Sequence, residues 1–408
     1  MALERLNKKL TSIVHELEET GQAKGEEKII TKVIRNEGSK GPRYFLQGYD
    51  DKEFIRMNSN SYLGFSLREE LIQDDIDTTR KFGVGPGAVR FISGTYAPHI
   101  ELEGKLAEFH SREAALLFSS AYVTSMGVIA PLIQEKTVVI SDELNHNCII
   151  NALKMSRPAI KAIYKHNDMK DLQKKIESSL SKGDRMLVVS DGIFSMRGDH
   201  APLHTMVEIC QKYNDSFTEG IITIVDDSHG VGVFGKSGRG TEEFTHTKVD
   251  VLIGTLGKAF GVNGGYVVSS QAVIRFLREY APMYIYSNPI TVAEANTAKK
   301  AVEILDSQEG REILQNLRKL IKKFRGGVKK IGFETIDSEH PIVPLIIRDT
   351  AQTSELTEYL LEKGVLATGI NYPVVPKGDE EIRFQISAEH TPQDIDMVLG
   401  ILEGYTRK

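Results

Sequence analysis

Lys258 lies in Gly254-Thr255-Leu256-Gly257-Lys258-Ala259-Phe260-Gly261, directly after the apolar run Val251-Leu252-Ile253. Earlier in the chain a second apolar run, Ile221-Ile222-Thr223-Ile224-Val225, ends in Asp226-Asp227-Ser228-His229-Gly230. A neutral lysine amine condenses with an aldehyde. A carboxylate keeps a pyridine nitrogen protonated and so makes the ring an electron sink. An imidazole three residues on meets such a ring from the side. Lysine, acid and imidazole in these places suit pyridoxal 5′-phosphate (PLP), held as a Schiff base on Lys258. Gly257, Ala259, Gly261, Gly264 and Gly265 leave room for a flat ring to approach the backbone. Burial lowers a lysine's pKa, and the freed amine then serves as a proton-transfer base. Asp226 is preferred to Asp227 because a period of two aims the two acids at opposite faces, and because His229 then falls three residues on.

These residues need strands to place them. From about 54 to 287, helical stretches alternate with short β-branched runs. Thr137 to Ile140, Met186 to Val189, Ile221 to Val225 and Val251 to Ile253 are the clearest strands. They are unbroken apolar runs, as expected for a largely parallel sheet buried on both faces, with helices such as 169–176 between. The reading is an α/β layer architecture, in which ligands bind at the carboxyl ends of strands. Asp226, Ser190-Asp191 and Lys258 all lie at or after such ends. Long helical patterns follow at about 291–307 and 310–331, then a strand at 342–347, a helix near 353–363 and a strand at 382–386. Thr391-Pro392-Gln393-Asp394 caps a closing helix. The expected division is an N-terminal helix and connecting segment (1–55), a large cofactor-binding domain (56–289) and a smaller α+β domain (290–408). In the first segment Leu3, Leu6, Leu10, Ile13 and Leu17 form one helical stripe, stopped by Gly21. That stripe predicts an arm packing on the body or on a partner subunit.

Composition narrows the class. The 408 residues carry a net charge of -5, and the basic residues are spread out, against a general nucleic-acid binder. No apolar stretch approaches the roughly 20 residues of a membrane span. The start, Met1-Ala2-Leu3-Glu4-Arg5, is charged and amphipathic and does not read as a signal peptide. The two cysteines, Cys148 and Cys210, suggest no disulfide framework, and no Cys/His cluster has metal-ligand spacing. A reduced cytoplasmic protein is expected.

Two further segments carry polar candidates. Ser119-Ser120-Ala121-Tyr122-Val123-Thr124 follows the strand-like Ala115 to Phe118 and opens a helix, whose free N–H groups suit a phosphate. Ser195 sits in the polar loop Asp191-Gly192-Ile193-Phe194-Ser195-Met196-Arg197-Gly198.

Taken together, the segments resemble the α-oxoamine synthases, fold type I PLP enzymes that join an amino acid to an acyl-coenzyme A. The resemblance covers about 26–406. It rests on Asn60-Ser61-Tyr62-Leu63-Gly64, Ala88 to Thr95, His99 to Glu103, Ser141-Asp142-Glu143-Leu144-Asn145-His146, Asp191 to Gly198, Val225 to His229, Gly254 to Ala259 and Tyr372 to Gly378. Arg90-Phe91-Ile92 and the last block point to the 2-amino-3-ketobutyrate coenzyme A ligase (glycine C-acetyltransferase) branch. The resemblance implies that His146 stacks on the cofactor ring, Asp226 pairs with its nitrogen, and His229 and Ser195 lie near its hydroxyl oxygen. Ala121, Tyr122 and Thr255 would hold the phosphate, joined by Ser287 and Asn288 from the other subunit of a homodimer. Asn60 would line the substrate pocket and Arg383 would clamp the amino-acid carboxylate. The implied reaction is condensation of glycine with acetyl-CoA. Lys258 removes the α-proton and His146 hydrogen-bonds the thioester carbonyl. The alternatives are a decarboxylating synthase with a longer acyl donor, of the serine palmitoyltransferase or 8-amino-7-oxononanoate synthase type, an aminotransferase of the same fold, and an inactive partner subunit, which Lys258 argues against.

Some positions depart from the family pattern. Gly261-Val262-Asn263-Gly264-Gly265 is shorter than the usual glycine-rich loop after the lysine, and Ser120-Ala121-Tyr122-Val123 lacks the usual glycine or cysteine. Glu389 interrupts a small-residue run, and Asp215 to Gly220 reads as an insertion. These changes leave the cofactor residues in place and bear on acyl-chain preference.

Overall fold

The computed structural model describes residues 2–20, 22–23, 25–372 and 374–406. Helix α1 (Ala2–Glu19) is followed by a hairpin of β1 (Ile30–Ile34) and β2 (Arg43–Leu46), then the short β3 (Ile55–Arg56). Helices α2 (Glu69–Phe82) and α3 (Ala97–Phe109) lead into the central sheet. Its seven strands are β4 (Ala114–Phe118), β5 (Thr137–Asp142), β6 (Ile160–Tyr164), β7 (Arg185–Asp191), β8 (Ile221–Asp226), β9 (Val251–Thr255) and β10 (Gly265–Ser269). They lie in the order β4-β10-β9-β8-β7-β5-β6. Only β10 runs against its neighbours; the other pairs in register are parallel.

The apolar runs behave as unbroken β-branched stretches should. Every residue of β5 and β9 is buried, and β7 and β8 are buried but for one residue each. Alternate side chains feed two cores. Val138, Met186, Val225 and Leu252 join one, while Val139, Leu187, Ile224 and Ile253 join the other. Two strands were not expected. β6 is an edge strand with alternating burial, which hides it from a search for apolar runs. β10 begins at Gly265, a residue expected to make space for a ring. A Cβ there would lie 2.3 Å from Thr124 Oγ1 and 2.6 Å from the Ala121 N. The glycine therefore lets the strand press on α4 (Ala121–Leu132), the helix that follows β4.

The chain's last third builds a three-stranded antiparallel sheet of β11 (Ile342–Ile346), β14 (Glu381–Gln385) and β13 (Thr368–Ile370); the short β12 (Val365–Leu366) pairs with β3. Helix Val292–Leu305 packs on α2 and α3. The apolar stripe of α1 does not pack on the body: the helix has no buried residue, and Leu3 is 66% exposed. The expected stop at Gly21 lies outside the described residues, as does Pro373 in the Tyr372 to Gly378 block. No helix among the described residues is long and apolar enough to cross a membrane.

Candidate active site

The parallel strands end together, and their ends carry Asp142, Asp191, Asp226 and Thr255. Sequence-adjacent β5 and β6 lie to one side and β7, β8 and β9 to the other. A crevice therefore opens at the carboxyl ends, where an open α/β sheet binds ligands. One cavity there is lined by Ala121, Tyr122, His146, Ser195, Asp226, His229 and Lys258. Cys148, Asp191, Ile193 and Ser228 complete its wall.

Lys258 follows β9 in a tight loop closed by a hydrogen bond from Gly261 N to its own carbonyl (3.0 Å). Gly261 has φ 71°, and a Cβ there would meet the Ser66 N at 2.4 Å, so both the turn and the close approach require glycine. Loss of water around the amine lowers its pKa from 10.5 to about 8, against the upward pull of Asp226 and Asp191. Among the described residues Nζ has no hydrogen-bond or ion-pair partner.

Asp226 faces α4 and the following helix α5 (Asn147–Met155). Its Oδ1 accepts the Ser228 N–H (3.1 Å), and its Oδ2 accepts the Ser125 hydroxyl (2.5 Å), with the Cys148 sulfur 3.6 Å away. Asp227 turns the other way, onto Thr241, as the period of two requires. Asp191 accepts the His146 N–H (2.9 Å), and burial followed by repulsion from Asp226 pushes its pKa well up.

His146 is the N-cap of α5. Its Nδ1 accepts the Cys148 N–H (3.3 Å) and the Cys148 thiol (2.9 Å), so the ring proton of the neutral form sits on Nε2. Partial loss of water, with Lys258 adding to it, lowers its pKa despite Asp226. His229 is buried, and its pKa falls well below 6.5, first from burial and then from Lys258 and Arg383. Its Nδ1 lies 2.8 Å from the Tyr62 hydroxyl, and its carbonyl accepts His340 Nε2–H (2.8 Å).

The other expected residues do not line this cavity. Thr255 Oγ1 accepts the Gly257 N–H (3.1 Å) and donates to the Gly264 carbonyl (3.3 Å), bracing the lysine loop. Arg383 on β14 donates through Nη1 to the Ser195 carbonyl (2.9 Å), and Asn60 contacts Gln385 and Tyr62. Asn288 is exposed, and among the described residues Ser287 Oγ bonds only its neighbour's carbonyl. Ser125, Cys148, Tyr62 and Gln385 were not singled out from the sequence. Ser125 had a local signal, one helical turn after Ala121 and so on the same face. Cys148 lies two residues after His146, Tyr62 two after Asn60, and Gln385 two after Arg383 on the same face of β14.

The pocket suits PLP. It offers an unpartnered amine, an acid held by a hydroxyl and a backbone N–H, and a helix start at Ala121 over a strand that only glycine lets approach. The buried Ser228 hydroxyl, in the same wall, has no partner among the described residues. Residues 52–402 match the model of the family described as aminotransferase class I and II. The chain belongs to that family. The 8-amino-7-oxononanoate synthase of Thermosipho melanesiensis is 40% identical over 361 residues, covering 88% of this chain and 90% of that protein. The 8-amino-7-oxononanoate synthase 1 of Bacillus subtilis is 38% identical, covering 86% and 88%. Among solved structures, serine palmitoyltransferase from Sphingomonas wittichii superposes with a TM-score of 0.88 at 27% identity, covering 98% of this chain and 96% of that one. A serine palmitoyltransferase structure carrying PLP gives 0.85 with the same coverage. Within the family the chain is thus an α-oxoamine synthase, on the fold type I PLP-dependent transferase fold, with PLP as cofactor. The expected closeness to the ligase branch is not what these relatives bring out: they are named as 8-amino-7-oxononanoate synthases.

Proposed function

We propose that this α-oxoamine synthase joins an amino acid to an acyl-coenzyme A longer than acetyl-CoA, with release of carbon dioxide and free coenzyme A, and with PLP carried on Lys258. One observation carries the catalytic part: Lys258, Asp226, His146 and His229 meet in a single cavity at the sheet's carboxyl edge. The names of relatives sharing about two residues in five along most of the chain support the substrate class. When bound, PLP supplies a carbonyl that condenses with amines and a pyridinium ring that draws electron density from the amino acid's α-carbon.

The chain's own groups supply the rest. With a pKa of about 8, roughly one Lys258 amine in ten is neutral at pH 7, against fewer than one in a thousand at the ordinary value. That amine serves as nucleophile and then moves the α-proton. Asp226, held by Ser125 and Ser228, would pair with the ring nitrogen. His229 and Ser195 would hold the ring's oxygen. Ala121 and Tyr122 offer N–H groups to the phosphate, with the Thr255 hydroxyl behind them. Ser287 and Asn288, outside their own pocket, reach the phosphate of the partner protomer in a homodimer. Arg383 binds the amino acid's carboxylate beside Asn60. His146 presents Nε2–H, a neutral donor, to the thioester oxygen as charge develops there.

A panel of glycine, serine and alanine against short and long acyl-CoAs, read by thiol release and carbon dioxide, tests the reading. Turnover with long chains and none with acetyl-CoA is expected. The second reading, glycine with acetyl-CoA, draws on the Arg90 to Ile92 and Tyr372 to Gly378 blocks. Release from acetyl-CoA with glycine, without carbon dioxide, would establish it instead.

A further inference from the structure

A hydrogen-bonded line of five side chains runs from the pocket wall to Arg383, and its sense follows from the one member that can only donate. The orientation of Gln385 that gives both of its amide atoms partners sets Nε2 toward the Met57 carbonyl (3.3 Å). It sets Oε1 against Arg383 Nε (3.2 Å) and Nη2 (2.9 Å). The reverse would press amide N–H groups on a guanidinium, donor against donor. The same Oε1 lies 3.1 Å from one amide atom of Asn60, which must therefore be the nitrogen. That Asn60 atom also lies 3.2 Å from the Tyr62 hydroxyl, so Tyr62 accepts there. Its own proton then goes to the remaining neighbour, His229 Nδ1, 2.8 Å away.

We propose that Arg383, acting through Gln385, Asn60 and Tyr62, fixes His229 as the Nε2–H tautomer, with Gln385 as the positioning residue that joins the carboxylate clamp to the cofactor wall. His229 Nε2 has no hydrogen-bond partner among the described residues, and the residue lines the pocket, so the proton is offered to the bound group. Two conditions support the sense. Burial raises the Tyr62 pKa, which keeps its hydroxyl a donor, and lowers that of His229, which keeps the ring neutral. That the donor meets an oxygen of PLP rests on the reading under Proposed function. The tautomer rests on the chain alone.

The test is 15N NMR of histidine-labelled full-length protein at neutral pH, with and without PLP, the His229 signals being identified by their loss in His229→Asn. The expected wild-type pattern is a bare Nδ1 and a protonated Nε2. Gln385→Leu frees Asn60 to reverse and should move His229 to a mixture or to Nδ1–H. Gln385→Glu, which accepts from both neighbours, should restore the wild-type pattern. Should Gln385→Leu fail to fold, Tyr62→Phe removes the last donor and should give the same mixture. A protonated Nδ1 in the wild type, or a His229 signal unmoved by both Gln385→Leu and Tyr62→Phe, overturns the proposal. A wild type that takes up no PLP on Lys258 overturns the cofactor reading and leaves this measurement standing.

Discussion

On the pocket side of β8, the Asp226 carboxylate is met by a backbone N–H on Oδ1 and a hydroxyl on Oδ2, and it lines the cavity. One residue later, on the sheet's other side, Asp227 is enclosed. Its Oδ1 takes the Thr241 hydroxyl and its Oδ2 the Thr241 N–H, both at 2.6 Å. Glycines crowd it: a Cβ on Gly192, Gly230 or Gly240 would lie 2.3, 2.1 or 2.0 Å from its oxygens. The difference teaches how to tell a working carboxylate from a structural one. On the proposed reading, the working acid is the one that lines a cavity a ligand can enter. A structural acid has its lone pairs spoken for by neighbours that cannot move away.

The largest effect should come from the amine that shares the pocket with Asp226. Lys258→Ala removes the proposed nucleophile and base together, and turnover should fall by roughly 10³-fold or more. The borohydride-reducible yellow chromophore should vanish as well. Because the Nζ atom has no partner among the described residues, the thermal midpoint of the apoprotein should hardly change. Wild-type activity in this variant would remove the basis for calling the cavity an active site. Asp226→Asn comes next. The amide cannot hold a pyridinium proton, so kcat should drop roughly 10²- to 10³-fold, as when a preorganised charge is lost. Stability should fall modestly, by about 1–3 kcal/mol, since the amide's oxygen still accepts from Ser125 but its NH2 cannot accept the Ser228 N–H. If Asp226→Asn unfolded the protein while keeping activity per folded molecule, the two acids would have exchanged roles.

Asp227→Ala sharpens the comparison from the other side. It leaves the buried Thr241 N–H and hydroxyl without their acceptor, at a cost of about 2–4 kcal/mol. Urea unfolding should show that loss, while PLP uptake by the folded fraction changes little. A variant as stable as wild type would mean that Asp227 is not the anchor of the turn.

Strand parity separates the two acids in the sequence itself, because alternation along β8 is local. The apolar runs of β5, β7, β8 and β9 were legible for the same reason: burial on both faces leaves a continuous signature over a few residues. β10 was not, because its glycine serves a helix more than 130 positions earlier, and nothing near Gly265 records that approach. Likewise Lys258 and Asp226 could be argued from chemistry at strand ends, whereas His146 and Arg383 entered through resemblance. A loop histidine and a strand arginine look ordinary until the sheets bring them beside a pocket. Gln385 lies furthest from view. Alternation along β14 places it beside Arg383, but its link to Asn60 is made by the fold, and an amide's orientation has no trace in a sequence. The α1 stripe shows the converse. Its period was plain, but a period does not say which surface covers it, and this chain's own body does not.

The smallest predicted effect concerns pH. Burial raises the Asp227 pKa from 3.8 to about 7, against the lowering by Thr241. Between those values the folded state keeps a proton that the unfolded chain releases. Stability from this group is therefore fully present below about pH 4 and is lost as pH rises through about 7. The total is on the order of a few kcal/mol. Asp227→Asn carries no titrating proton, so it lacks that decline. Its deficit relative to wild type should be largest near pH 4 and should shrink steadily toward pH 7, where wild type has given up its proton-linked share. Subtracting the two urea-derived stability curves cancels the other carboxylates, including Asp199 and Asp394, whose pKa values are lowered and whose contributions run the opposite way. Parallel curves across that window would mean that Asp227 is ionised when folded. Its enclosure by Thr241 and the glycines would then be a charge site like its neighbour's, and the distinction between the two faces of β8 would be geometric only.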